Sequence, residues 1–254
     1  MLLTIDIGNT QIVFGIFKSE KLEATWRLAS DLHRTADEYA MLMEQAMERK
    51  GFRPVDINAV IIATASPTLQ TTIEAAIRSC SLPAPLLVGP GIKTRLPIRF
   101  EQPTDLSGDR IANSVAAHFL YGKGPTIVVD FGTATGFDGV SAKGEYLGGG
   151  LTPGIRIASE ALVNKASRIP RVDFTAPGQV IGRTTTQALQ AGLLYGHVDL
   201  LNGILQRIKK EIGPAKVIAT GQDAHMFTSL SNQLDLIEPH LTLYGLRLLY
   251  QFNS

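Results

Sequence analysis

Three acidic residues stand where carboxylates do chemistry. Asp6 lies in "LLTIDIGNTQIVFGIF" (Leu2 to Phe17), an apolar strand-like run broken by Gly8-Asn9-Thr10. Asp130 lies in "TIVVDFGTATGFDGV" (Thr126 to Val140), which has the same order: apolar strand, Asp, one apolar residue, Gly, small polar turn, resumed strand. Asp109 precedes Arg110 in "QPTDLSGDRIANSVAA", after a Pro-containing loop. A strand ending in Asp-x-Gly puts a carboxylate at the lip of a sheet beside exposed backbone. Gly lets a ligand approach closely, and turn N–H groups can face an anion. The hydroxyls of Thr10 and Thr133 add hydrogen bonds. A carboxylate repels phosphate, so this arrangement makes sense with a cation between the two. Two such turns would clamp a polyphosphate and its metal, whereas one alone also reads as an Asp capping its own turn. The Asp109-Arg110 pair, taken alone, reads as a helix cap with a surface ion pair.

The elements that must hold these residues are legible in outline. Residues 2–7 and 11–17 predict a hairpin, since Gly and Asn tolerate the turn backbone. "TADEYAMLMEQAMERK" predicts a helix, with Thr35 and Glu38 at capping-box spacing and Gly51 as its stop. "AVIIATAS" reads as a buried strand, and Pro67 opens a helix running to about Cys80. "APLLVG" is a shorter strand, residues 89–109 a long loop, and Ile111–Tyr121 a helix. "GGGLTPG" (Gly148–Gly154) reads as a Gly-rich turn before a helix near Ile155–Asn164. Thr186–Ile212 predicts a long helix, with Leu189, Leu193, Gly196, Leu200, Ile204 and Ile208 at three- and four-residue steps. Gly192 and Gly196 leave small residues on one face, for core packing or for a subunit interface. "AKVIATGQDA" predicts a strand running into a third Gly turn at Thr220-Gly221, and "LTLYGLRLLYQF" a closing helix.

The recurrence of the Asp6 pattern at Asp130, about half a chain later, marks an internal repeat. Strands and helices alternate with hairpins mixed in, which predicts a mixed-sheet α/β protein of two similar domains facing one another. Their expected extents are 1–116 and 117–254, with the last helix packing back on the first domain.

Composition excludes several classes. Formal net charge is +1, which is no basic excess for a nucleic-acid backbone. No apolar run approaches the ~18 residues that span a bilayer. The start has no cationic region ahead of its apolar stretch, unlike a signal peptide. The single Cys80 allows no internal disulfide and suits a reducing compartment, so the expected setting is cytoplasmic. The five His residues sit at no metal-ligand spacing and read as surface or structural.

"DIGNT" resembles the first phosphate loop of the acetate and sugar kinase, Hsp70 and actin superfamily. "VVDFGTATGFD" resembles its second, and "IATGQDA" sits where its adenosine loop would be. Together with "HRTADEY", the Asp109-Arg110 segment, "GGGLTPGI" and "VIGRTT", the ordered set is similar to type III pantothenate kinase from about Leu2 to Leu246. The resemblance implies two ribonuclease H-like (actin-like ATPase) domains across a nucleotide cleft. It implies ATP-dependent phosphorylation of pantothenate at its 4′-hydroxyl, the first step of coenzyme A synthesis. Asp109 is then the catalytic base. Asp6, Ile7, Gly8, Asn9, Thr10, Gln11, Ile12 and Val13 bind the ATP phosphates, with Thr133 a further ATP contact. Asp6 lies near magnesium, directly or through water, and Asp130 helps hold potassium or ammonium. Ser107, Gly108, Asp109 and Arg110 line the pantothenate site with Phe100 on its loop. Thr185 reaches that site from the partner of a homodimer.

The chain departs from the family pattern at five places. Ser107-Gly108 replaces Gly-Ala, Gly136 replaces Thr, Gln222 replaces a second Gly, Phe100 stands near an expected Tyr, and the stretch before Pro67 is Ala-rich. None removes a proposed catalytic group. Gly136 drops a hydroxyl, and Gln222 puts a side chain where Gly leaves space. The other readings are a nucleotide-binding regulator that has lost turnover, an Hsp70- or actin-like ATPase, and a kinase for another small alcohol.

Overall fold

A computed structural model describes all 254 residues. The chain divides into two compact units, Met1–Ala116 with Leu241–Ser254, and Ala117–His240.

The first unit is built on a five-stranded mixed sheet. Its strands are β1 (Leu2–Ile7), β2 (Gln11–Lys18), β3 (Lys21–Ala29), β4 (Ala59–Thr64) and β5 (Leu86–Leu87), in the order β3-β2-β1-β4-β5. β1 and β2 form the expected hairpin, in register from Leu2↔Phe17 to Ile7↔Ile12. β4 runs parallel to β1 and pairs Asp6 with Ala63. Period-2 alternation sends Leu3, Ile5 and Ile7 to one face. There they join Tyr39, Met43 and Met47 of α1 (Ala36–Arg49), and Leu69, Ile73 and Ile77 of α2 (Pro67–Ser79). Thr4 and Asp6 point to the other face. The helices there are α3 (Gly108–Ala116) and the closing α6 (Leu241–Asn253), which packs on α3, β1 and β4. The capping box at the start of α1 is present in both directions, with Glu38 N–H on Thr35 Oγ1 and Thr35 N–H on Glu38 Oε2.

The second unit repeats this plan. β6 (Thr126–Phe131), β7 (Ala134–Val140), β8 (Tyr146–Pro153), β9 (Lys216–Thr220) and β10 (Leu236–Ile237) stand in the order β10-β9-β6-β7-β8. Replacing β1 to β5 by β6, β7, β8, β9 and β10 turns the first order into the second. The repeat seen around the two Asp residues therefore extends to all five strands. Asp130 pairs with Gly136 on β7 and Thr220 on β9, as Asp6 pairs with Val13 and Ala63. Ile127, Val129 and Phe131 face a core built with Leu194, Val198, Leu201 and Leu205 of α5 (Thr185–Ile212). Alternation sends Asp130 to the opposite face.

Three local expectations need correction. Gly148–Gly154 is not a turn, because Tyr146–Pro153 is the edge strand β8, antiparallel to β7. A Cβ on Gly149 would stand 1.6 Å from the Phe137 carbonyl oxygen, so glycine here serves close strand approach and not a turn. The third helix begins at Gly108, so Asp109 and Arg110 lie within its first turn; from Ala117 to Tyr121 it widens into a π turn. In α5 the expected Leu189, Leu193, Leu200, Ile204 and Ile208 do pack on the core, but its deepest stripe is Leu194, Val198, Leu201 and Leu205, and Gly192 and Gly196 are exposed. β3 carries no turn chemistry that announces it, and sequence reading missed it.

Candidate active site

Asp6 is half-buried at the end of β1. Its turn is closed by Gly8 N–H on the Gln11 carbonyl at 3.0 Å, and a Cβ on Gly8 would stand 2.9 Å from that same oxygen. Ser30, at the exit of β3, braces the turn twice: its hydroxyl donates to the Gly8 carbonyl (2.7 Å) and its N–H to the Thr10 carbonyl (3.0 Å). Buried Tyr39 holds that exit in turn. Its hydroxyl accepts from Asp31 N–H at 2.9 Å and lies 3.1–3.2 Å from the carbonyls of Asp31 and Ala29. The "HRTADEY" segment is thus the support of the first turn. Ser30 is a residue that sequence reading missed, since nothing local ties it to a turn twenty positions earlier. Asn9 and Thr10 at the tip face solvent.

The start of α3 is set against the same strands. A Cβ on Gly108 would lie 3.2 Å from Cα and Cβ of Ala63, the cross-strand neighbour of Asp6, and 3.1 Å from the Val88 carbonyl oxygen. Glycine therefore lets the helix start rest on the end of β4, one strand spacing from Asp6. The first unit gathers the Asp6 turn and Gly108-Asp109-Arg110 on one face of its sheet. Asp109 Oδ1 is buried there without a hydrogen-bond partner. Buried acceptors are rarely left so, and a ligand hydroxyl is a natural donor. The Arg110 guanidinium lies 5.9 Å from the centre of the Phe100 ring, which joins the loop before α3 to the helix start. Asn113 is fully buried one turn on and accepts from the Thr242 hydroxyl of α6 at 2.8 Å.

In the second unit Gly132 N–H donates to the Ala134 carbonyl (3.0 Å), which closes a turn one residue shorter than the first. Gly154 N–H donates to the Thr133 carbonyl at 3.0 Å, and a Cβ on Gly154 would stand 2.4 Å from the Gly132 carbonyl oxygen. The start of α4 (Ile155–Lys165) therefore rests on the Gly132-Thr133 turn, and its N-terminal dipole favours an anion nearby. Gly221, at φ +93°, packs on Asp130: a Cβ there would lie 2.5 Å from Asp130 Oδ1 and 2.5 Å from the Phe131 carbonyl oxygen. Gly136 sits across from Asp130 with only Leu151 near its Cβ position, at 3.4 Å. Thr185 is exposed at the first turn of α5, behind a Thr184 hydroxyl that caps Gln187 N–H.

Two polar pairs behind this turn carry no sequence signal. His197 of α5 is hydrogen-bonded to Thr135 Oγ1 at 2.9 Å and stacked on Phe227, which itself stacks on Phe131. Burial pushes the His197 pKa below its ordinary 6.5, against the opposing pull of Asp223. The folded state then resists a proton that the unfolded chain accepts, so stability is full above about pH 6.5 and falls as pH drops below it. The expected result is a urea midpoint lower at pH 5 than at pH 7.5, with a smaller difference in His197→Gln. Asp223, the second pair's acid, is almost fully buried and held by Arg156.

The family model described as type III pantothenate kinase matches residues 2–207. A type III pantothenate kinase of Moorella thermoacetica is 46% identical over the whole of both chains. One of Myxococcus xanthus is 44% identical over all of this chain and 99% of its own. Among solved structures, the activator of 2-hydroxyisocaproyl-CoA dehydratase from Clostridium difficile superposes with TM-score 0.56 at 12% identity, covering 99% of this chain and 94% of its own. The ROK hexokinase of Thermus thermophilus gives TM-score 0.50 at 16% identity, covering 98% and 97%. At such identities the likeness is one of fold, that of the actin-like ATPases and their kinase relatives. With a matching family model and full-length relatives, the chain belongs to the type III pantothenate kinase family.

Proposed function

We propose that the protein transfers the γ-phosphoryl group of ATP to the 4′-hydroxyl of pantothenate, the first step of coenzyme A synthesis. The observation that carries the reading is the 46% identity to a type III pantothenate kinase along the entire chain. Asp109 is the base: its buried, unpartnered Oδ1 accepts the proton of the attacking hydroxyl. Arg110, stacked near Phe100, attracts the pantothenate carboxylate, and Ser107 and Gly108 shape the pocket around it. The turn from Asp6 through Ile7, Gly8, Asn9, Thr10, Gln11 and Ile12 to Val13 takes the ATP phosphates, and Thr133 adds a hydroxyl.

No group of three or more His, Cys, Asp or Glu side chains gathers anywhere in the chain. Asp6 would hold a divalent ion, with phosphate oxygens and water completing a set that magnesium accepts. Bound magnesium supplies charge neutralisation of the phosphates. Asp130, beside the Phe131 carbonyl and under Gly221, offers the hard oxygens that potassium or ammonium takes. Thr185 contributes to the pantothenate site of the partner in a homodimer. Support comes from α5, where nothing lies within 4 Å of a Cβ placed on Gly192 or Gly196. The setting is cytoplasmic, in keeping with the buried Cys80, whose thiol burial pushes up to about 12, and no helix is long and apolar enough to cross a membrane.

The test is ATP-dependent formation of phosphopantothenate with potassium or sodium as the salt. Activity with potassium and much less with sodium is expected; no product in either salt from folded protein sinks the reading. A monomer with full activity at assay concentration removes the shared-site arm. Gly132→Ala separates ligand approach from folding. Its Cβ meets only the Ala134 oxygen at 3.6 Å and Asp130 Oδ1 at 3.7 Å, ordinary contacts. The melting temperature is expected to hold while the KM for ATP rises about tenfold, since a small displacement of phosphate is costly. An unchanged KM would take Thr133 and its turn out of the ATP site.

A further inference from the structure

We propose that Arg156 and Asp223 form a positioning pair that sets the two turns around Asp130 and so fixes nucleotide affinity. The proposal rests on the ATP reading above.

Asp223 is the most deeply buried charged side chain next to the Gly221 turn, at 3% exposure. Both of its carboxylate oxygens are held by Arg156: Nε donates to Oδ1 at 2.9 Å and to Oδ2 at 3.0 Å, and Nη2 lies 2.9 Å from Oδ1. This fork geometry fixes direction as well as distance. The two residues are 67 positions apart, and each sits at the root of a different piece of the site. Arg156 is in the first turn of α4, whose start rests on the Gly132-Thr133 turn through Gly154. Asp223 follows Gly221-Gln222, and its own N–H donates to the Phe131 carbonyl at 3.2 Å. One ion pair therefore ties the second phosphate turn to the Gly221 turn, with Asp130 and Phe131 between them. The Arg156 guanidinium also lies 5.4 Å from the centre of the Phe174 ring, which limits its other directions.

An exposed ion pair would be worth little, and Arg156 is half-exposed. The acid decides the matter here. Without its guanidinium a buried carboxylate must find water, and the chain that carries it must move to do so. That chain is the turn bearing Gly221, which packs so close to Asp130 that no Cβ fits between them. Gln222, where the family has glycine, rides on the same turn.

ATP binding by calorimetry, with magnesium and potassium present, reads this without relying on turnover. Arg156→Gln and Asp223→Asn are each expected to raise the ATP Kd about tenfold, with the pantothenate KM within about twofold of wild type. The double variant is expected to be no worse than either single one, because the two act as a unit. Arg156→Lys keeps the charge and loses the fork. A Kd between wild type and Arg156→Gln is expected for it. Should the other variants fail to fold, Arg156→Lys decides alone: a raised Kd supports the pair and a wild-type Kd overturns it. An unchanged ATP Kd in folded variants, or a pantothenate KM that rises in step with it, overturns the proposal. A wild-type chain that binds no ATP removes the function proposed above as well, whereas intact wild-type binding with indifferent variants removes only the pair.

Discussion

Asp109→Asn is expected to lower kcat by about 10²–10⁴-fold while the KM for ATP stays near wild type. The substitution is isosteric, so Gly108 still rests on Ala63 and α3 still begins where it does. What changes is the acceptor. Oδ1 is buried with no hydrogen-bond partner, which is the free acceptor that the proposed base needs. An amide in its place cannot take the proton. The direct measure is the single-turnover rate of phosphopantothenate formation, with ATP binding followed separately. Retention of most of the wild-type rate would exclude Asp109 as the base and leave positioning and electrostatics to carry the transfer. The same experiment on Arg110→Gln is a useful contrast, because under the proposed role its loss belongs in the pantothenate KM more than in kcat.

Gly245→Ala carries a large expected structural effect. A Cβ at Gly245 would stand 1.9 Å from the Ala112 carbonyl oxygen and 2.4 Å from its carbon, both backbone atoms of α3. No side-chain rotation relieves such a contact, so one helix must move off the other. Overpacking of this kind costs about 3 kcal/mol or more, which for a chain of this size lowers the melting temperature by roughly 6–12 °C. Activity is expected to fall too, since α3 carries Asp109 and α6 is its support. The calorimetric midpoint and kcat are the two readouts. A variant with the wild-type midpoint would show that the two helices are not held at that distance in solution. Gly192→Ala is the matched control in another helix, with no atom within 4 Å of its Cβ, so within the single chain it costs no such clash.

Local physics wrote much of this molecule into the sequence. The β1–β2 hairpin follows from alternation around Gly8-Asn9-Thr10. The start of α1 follows from Thr35 and Glu38, and the repeat follows from two copies of Asp-x-Gly behind an apolar strand. These signals reside in neighbours one to four positions apart, which is the range over which caps, turns and periodicity act. The same patterns picked out Asp6 and Asp130 as candidate chemistry, whereas Asp109 was marked by its resemblance to the family's Asp-Arg segment. Tertiary structure decided the rest, where a residue's role depends on a partner that local spacing does not encode. Gly148–Gly154 has turn composition yet pairs as β8, because the Phe137 backbone approaches too closely for any side chain at Gly149. Ser30 reads as loop filler until β3 brings it to the Gly8 carbonyl. Gly245 is a poor helix residue on its own and is required because Ala112 lies against it, 133 positions away. Arg156 and Asp223 are two unremarkable charges until the fold buries one and aims the other at it. Burial and close backbone approach arise only when distant segments meet, so these residues stayed silent in the sequence.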